Sequence, residues 1–164
     1  MADKILIVDD EPDVVNLAKR ILEREKYHVI TASEGDEALE KARVEMPDLI
    51  LLDIVMRGKD GYEVCKILKS HAATRHIPVV MFTVLGHDID RKLSEEAGAD
   101  SHFTKPFTAE DLITEVRKHL ESVRAKKFSR QRARSILNAF CHTCSRISHA
   151  SSTMLHIDRR RREQ

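Results

Sequence analysis

Five times along this chain a short β-branched or continuously apolar run gives way to a segment whose apolar residues recur at helical spacing. The runs are Lys4 to Val8, Tyr27 to Ala32, Asp48 to Leu52, Ile77 to Phe82 and Ser101 to Thr104. Runs of this kind belong to strands buried on both faces of a parallel sheet. The segments between them carry Val14, Ala18, Ile21 and Leu22; Ala38, Leu39, Ala42 and Met46; Val64, Ile67 and Leu68; and Ile89, Leu93 and Ala97. A fifth carries Leu112, Ile113, Val116 and Leu120. Each stripe is the apolar face of a helix. Start signals agree: Pro12 suits a first helical turn, while Ser33 with Asp36 and Thr108 with Asp111 read as capping boxes.

Regular alternation of strand and helix requires right-handed crossovers, with helices on both faces of one parallel sheet. The expected fold is therefore α/β, a doubly wound five-stranded sheet with five helices. A flavodoxin-like order, 2-1-3-4-5, is the common solution at this size. That order makes strands 1 and 3 neighbours, so residues just beyond their carboxyl ends share one crevice.

Those ends carry the chemistry. The strands stop at Asp9 with Asp10, at Asp53, at Thr83 and at Lys105. Taken singly, Asp9 and Asp10 suit a cap for the helix near Pro12, Asp53 a turn, Thr83 a cap and Lys105 a solvated surface charge. Their coincidence at strand ends in one crevice favours a common site. Three crowded carboxylates repel one another, and burying them unpaired costs several kcal/mol or drives protonation. A cation must compensate. Oxygen ligands without His or Cys favour a hard ion such as Mg²⁺, held directly by Asp10 and Asp53 and through water by Asp9. Lys105 adds a permanent positive charge.

With these residues in view, residues 3 to about 122 resemble the receiver domain of bacterial and archaeal two-component response regulators. The resemblance rests on Ile7-Val8-Asp9-Asp10-Glu11-Pro12, Asp48-Leu49-Ile50-Leu51-Leu52-Asp53, Val79-Val80-Met81-Phe82-Thr83 and Lys105-Pro106-Phe107. Met56 to Gly61 and Gly98-Ala99-Asp100 fit the same pattern. It implies that Asp53 accepts a phosphoryl group from a phosphohistidine on a sensor kinase. It further implies Mg²⁺ on Asp10, Asp53 and the Val55 backbone carbonyl, with Thr83 and Lys105 holding the phosphoryl oxygens. Phosphoryl transfer needs chiefly positioning and charge neutralisation, which such a site supplies. Lys105-Pro106 resembles the family's cis bond. The family's switch residue, three positions before the lysine, is His102 here, either a rotating ring or an exposed residue of the last strand.

The chain also departs from that pattern. Arg57 stands where a proline is usual, and Val84 where a small residue is typical. Val55 and Leu85 occupy places that often carry polar groups able to position water. Slow loss of phosphate from Asp53 is the expectation.

Two other classes share parts of these signals. A flavin module would follow its first strand with a Ser/Thr/Gly-rich phosphate loop, whereas Asp9-Asp10-Glu11-Pro12-Asp13 would repel a phosphate. A Mg²⁺-dependent aspartyl-phosphate phosphohydrolase would carry Asp-x-Asp after the first strand; here the aspartates are adjacent. The expected protein is a phosphoacceptor and switch rather than an enzyme. Its expected partners are a sensor histidine kinase or phosphotransfer protein and a downstream target, with homodimerisation a further option and no output enzyme attached.

Charge divides the chain in two. Residues 1–125 hold 18 Lys and Arg against 25 Asp and Glu, while residues 126–164 hold 10 against 2. Residues 1–122 are expected to form the receiver and 123–164 a basic tail, helical or disordered. No Gly or Pro follows Pro106, so the fifth helix is free to continue. Ala133, Leu137, Phe140, Cys144, Ile147 and Met154 approach a 3.5-residue spacing. Cys141, Cys144, His149 and His156 match no familiar zinc spacing. The basic residues suit an acidic protein surface or, through charge alone, nucleic acid; aromatic residues for base stacking are nearly absent. Three cysteines make no secreted disulfide framework, no basic leader precedes the first strand, and no run reaches the roughly 18 apolar residues of a membrane span. A cytoplasmic protein without a membrane segment is expected.

Overall fold

The computed structural model describes residues 2–83, 88–125, 128, 129 and 132, of which 83 and 88–91 are described by backbone alone. The elements run β1 (Lys4–Val8), α1 (Pro12–Arg24), β2 (His28–Ala32), α2 (Gly35–Glu45), β3 (Leu49–Leu52), α3 (Gly61–Ser70), β4 (Val79–Thr83), α4 (Asp88–Glu96) and β5 (Ser101–Thr104). Residues 109–125 form a fifth helix, α5. All strand pairs are parallel, in the order β2-β1-β3-β4-β5. This is the flavodoxin-like order expected from the alternation.

The central strands are apolar throughout because both faces are covered. Leu6, Val8, Ile50, Leu52, Val79 and Met81 pack against α2 and α3 through Ala38, Leu39, Ala42, Val64 and Leu68. Ile5, Ile7, Leu49, Leu51 and Val80 turn the other way, onto Ala18 and Leu22 of α1 and Leu112, Val116 and Leu120 of α5. Each such side chain contributes about 1.5–3 kcal/mol by leaving water, which makes the sheet a stiff platform for whatever its rim carries.

Boundaries and local signals differ in instructive places. Tyr27, Asp48, Ile77 and Pro78 lie just outside the strands. The Tyr27 N–H closes the end of α1 on the Leu22 carbonyl, and Asp48 accepts the Lys4 N–H through its side chain. The expected Ser33–Asp36 capping box does not form: Glu34 holds the cap position of α2 without a side-chain cap hydrogen bond, and the Ser33 N–H and hydroxyl both donate to Glu37 Oε2. Asp36 instead meets Lys59. Thr108 and Asp111 cap each other reciprocally, as expected. Met46 is not on the buried stripe of α2; it ends the helix in the left-handed region at φ 47°, ahead of Pro47, whose ring disfavours a helical residue before it. On α4 Ser94 is buried while Leu93 is 40% exposed, and Ala97, just past the helix, is buried as expected.

Contacts divide the chain into Met1–Val123 and Arg124–Gln164. In the second unit residues 128, 129 and 132 are helical, and the Arg132 guanidinium lies 5.8 Å from the Phe128 ring centroid, an i, i+4 neighbour. The expected apolar spacing from Ala133 to Met154 and the Cys141, Cys144, His149 and His156 group lie outside the described residues. No helix among the described residues is long and apolar enough to cross a membrane.

Candidate functional site

Ladder hydrogen bonds continue one residue past the strands and so aim the acidic side chains. The Asp53 N–H donates to the Val8 carbonyl at 2.8 Å, and the Asp9 N–H donates to the Ala32 carbonyl at 3.1 Å. Both residues are thereby held at the rim with their side chains buried. Asp10 is next in line and only half-buried. One carboxylate oxygen from each of Asp9, Asp10 and Asp53 can be chosen such that all three lie within 4.8 Å of one another. The carboxyl ends of β1 and β3 therefore converge, as their parallel pairing requires.

Neither Asp9 nor Asp10 occupies the position capping α1, which belongs to Glu11. Asp9 is instead tied down at both oxygens. Oδ1 accepts the Glu11 N–H at 2.8 Å, and Oδ2 accepts from the Lys105 ammonium at 2.6 Å. Lys105 follows β5, and its bond to Pro106 is cis. Its Nζ also lies 3.2 Å from Asp53 Oδ1 and 3.9 Å from Glu11 Oε1. The ring of Phe82, itself packed on Phe103 and Phe107, faces the ammonium at 5.0 Å. An aromatic face favours a cation and excludes water, so the charge of Lys105 is directed inward.

Asp53 is the least settled of the three acids. Its Oδ1 is fully buried and accepts no hydrogen bond, because Lys105 approaches within ion-pair distance but off the direction that a hydrogen bond needs. Burial pushes the Asp53 carboxyl up to about 6, helped by the charge of Asp9 and opposed by Lys105. For Lys105 burial pulls the other way, but the hydrogen bond to Asp9 and the charge of Asp53 outweigh it and hold its pKa above the usual value. A buried carboxylate oxygen without a donor, beside two more carboxylates, fits a hard cation with oxygen ligands. Asp9, with both oxygens engaged, fits a role through water better than direct ligation.

The described residues do not bring the other expected residues into this pocket. Thr83 ends β4 in register with Thr104, and its side chain lies outside the described residues. His102 sits half-buried on β5 opposite Met81, and lines a hollow with Ser94, Glu95, Ala99 and Asp100. Val55 is two residues past Asp53 with its side chain 59% exposed. Val84 and Leu85 lie outside the described residues.

Two participants escape sequence reasoning. Gly61 opens α3 against the site: a Cβ there would stand 2.1 Å from the Asp53 carbonyl oxygen, so only glycine lets the helix begin so close. Arg57, notable in sequence only for replacing a proline, places its Nε 3.4 Å from Asp10 Oδ2. Its charge was the available signal; which acid it meets was not.

Known proteins share this sequence pattern and fold. The family model described as "Response regulator receiver domain" matches residues 5–117. The PhoP alkaline phosphatase synthesis transcriptional regulatory protein of Bacillus subtilis (strain 168) is 45% identical over 117 residues, 71% of this chain and 48% of that protein. The chain thus spans about half the length of that curated relative. Among solved structures, a CheY-like response regulator receiver domain protein from Methanospirillum hungatei JF-1 is 30% identical with a TM-score of 0.71, covering 77% of this chain and 99% of that one. The BeF3-activated N-terminal receiver domain of Klebsiella pneumoniae RstA is 36% identical with a TM-score of 0.67, covering 72% and 98%. A match running from the first strand into the last helix takes in the whole acidic rim, and by it this chain belongs to the receiver domain family of two-component response regulators.

Proposed function

We propose that this receiver accepts one phosphoryl group on Asp53 and that the change of charge there alters which proteins it binds. The observation that carries the reading is the orphaned Oδ1 of Asp53, buried 3.2 Å from an ammonium and flanked by two further carboxylates. At neutral pH a carboxyl with a pKa of about 6 is mostly ionised yet more basic than an ordinary aspartate, which suits a nucleophile. One of its oxygens forms the bond to phosphorus while the bond from phosphorus to the donor's leaving atom breaks, and that atom departs with the electron pair. Lys105 already faces Asp53, so its ammonium neutralises the phosphoryl oxygens without reorganising. Asp10, Asp53 and the Val55 carbonyl would hold Mg²⁺, which when bound neutralises charge between nucleophile and phosphate. Thr83 is assigned the remaining contact to a phosphoryl oxygen, and His102 the ring that answers its movement.

Phosphohistidine on a sensor kinase or phosphotransfer protein is the donor in this reading, in the cytoplasm, and a downstream protein is the reader. Residues 123–164 are assigned to a separate basic tail for charge-driven contacts. Incubating the full chain with acetyl phosphate and Mg²⁺ should add the mass of one phosphoryl group in intact mass spectrometry, and EDTA should prevent it. No gain with Mg²⁺ present would end the proposal. Once formed, the phosphoryl group should persist for minutes or longer, since the side chain at Val55 is apolar and cannot orient an attacking water. A lifetime of seconds, read from the decay of that mass, would contradict this.

A further inference from the structure

The positive charges around the acidic pocket have divided tasks. Lys105 lies inside and meets Asp9, Asp53 and Glu11. Arg57 lies outside and meets Asp10, the acid that opens to solvent. The loop between β3 and α3 that carries Arg57 is anchored just beyond it. Lys59 is paired with Asp36 at 2.5 Å, and Gly61 is pressed against the Asp53 backbone. Just ahead of those anchors Gly58 adopts φ 83°, a conformation open to glycine, and the preceding Arg57 meets Asp10.

The geometry points to Arg57 as a tethered cation that occupies Oδ2 of Asp10 and must be displaced before a divalent metal can take that oxygen. The inference rests on the proposed Mg²⁺ site and adds its regulation. Asp10 Oδ2 cannot face both a guanidinium at 3.4 Å and a metal ion, because two cations on one oxygen repel. The guanidinium is easily released: its side chain is 86% exposed against 21% for Asp10, and its contact is single and long. An exposed pair of this kind competes weakly, so its removal should tighten metal binding by only about two- to fivefold. Such a device keeps the metal-free pocket partly neutralised while leaving the metal readily exchangeable.

The test is a titration of the full chain with Mg²⁺ alone, followed by chemical shifts of backbone amides around Asp10 and Asp53. Arg57→Gln should bind Mg²⁺ about two- to fivefold more tightly than wild type, and Arg57→Lys, which keeps a cation, should stay near wild type. Because the competition is between solvent-exposed charges, the gap between Gln variant and wild type should narrow as NaCl is raised. In wild type the Arg57 side-chain Nε–H signal should shift along the same binding curve. Equal affinity of Arg57→Gln and wild type at low salt would overturn the role of Arg57 and leave the metal site standing. Absence of Mg²⁺ binding in both proteins would overturn the metal site as well.

Discussion

Replacing Asp53 by Asn is expected to abolish uptake of the phosphoryl group and, in metal-free buffer at neutral pH, to make the protein harder to unfold. The first effect follows from loss of the nucleophile. The second follows from burial. Asp53 is 2% exposed, and its carboxyl is raised from 3.8 to about 6, first by burial and then by the charge of Asp9. A carboxyl that binds its proton more tightly when folded favours the fold below the unfolded pKa, near 3.8, and loses that favour as pH rises through about 6. At pH 7.5 the ionised wild-type group therefore works against folding, by roughly 3 kcal/mol at most and about 1–2 kcal/mol once screening at the open mouth is allowed for. Asn has the same shape and no charge to bury. Urea unfolding in EDTA should show the variant more stable at pH 7.5 and level with wild type near pH 3.5. Adding Mg²⁺ should stabilise wild type more than the variant. A variant that is less stable at pH 7.5 without metal would mean that the pocket tolerates the Asp53 charge at no cost.

Replacing Lys105 by Ala should do the opposite and do it strongly. Its ammonium serves Asp9 at 2.6 Å and Asp53 at 3.2 Å, both buried, so its loss leaves two carboxylates without their inner counter-ion. Breaking a buried pair from one side costs about 3–5 kcal/mol, a large part of the roughly 5–15 kcal/mol that holds a domain together. Lys105→Met separates charge from packing, because an unbranched apolar chain of nearly the same length is kept. Most of the loss should persist in Met at pH 7.5. It should shrink as the pH is lowered through the carboxylate range and the orphaned acids take up protons. Combining Lys105→Met with Asp53→Asn should recover part of the stability, since one of the two stranded charges is then gone. Unfolding of Lys105→Met at the wild-type urea midpoint would show that the ion pairs contribute nothing net.

The two variants act on one balance from opposite sides. In the metal-free state the pocket holds three carboxylates against one buried ammonium and one exposed guanidinium, and this imbalance is what a divalent cation and then a phosphoryl group would engage.

Strand identity was legible in the residues because it depends on local pattern, and strand order because one doubly wound order is common at this size. A run such as Leu49–Leu52 is apolar at every position, so it is buried whichever neighbour covers it, and its period needs no knowledge of the partner. The strand-end placement of Asp9, Asp53 and Lys105 follows from the same rule, and so does their convergence once parallel order puts β1 beside β3. Relations between side chains on different elements were not legible. Ser33 bonds Glu37 rather than Asp36, Leu93 turns outward while Ser94 turns in, and Met46 leaves its helix early. Those outcomes depend on rotations of tens of degrees that a periodic pattern does not resolve.

Linear order alone thus dictated a parallel α/β sheet with an acidic carboxyl-end rim, because burial on two faces and strand polarity are local demands repeated along the chain. Only packing in three dimensions settled how the charges are shared: Asp9 spent at both oxygens, Asp53 left with one unsatisfied, Asp10 lent to Arg57. Electrostatic pairing falls off over a few ångströms, and distances that short between remote residues exist only once the backbone has closed around them.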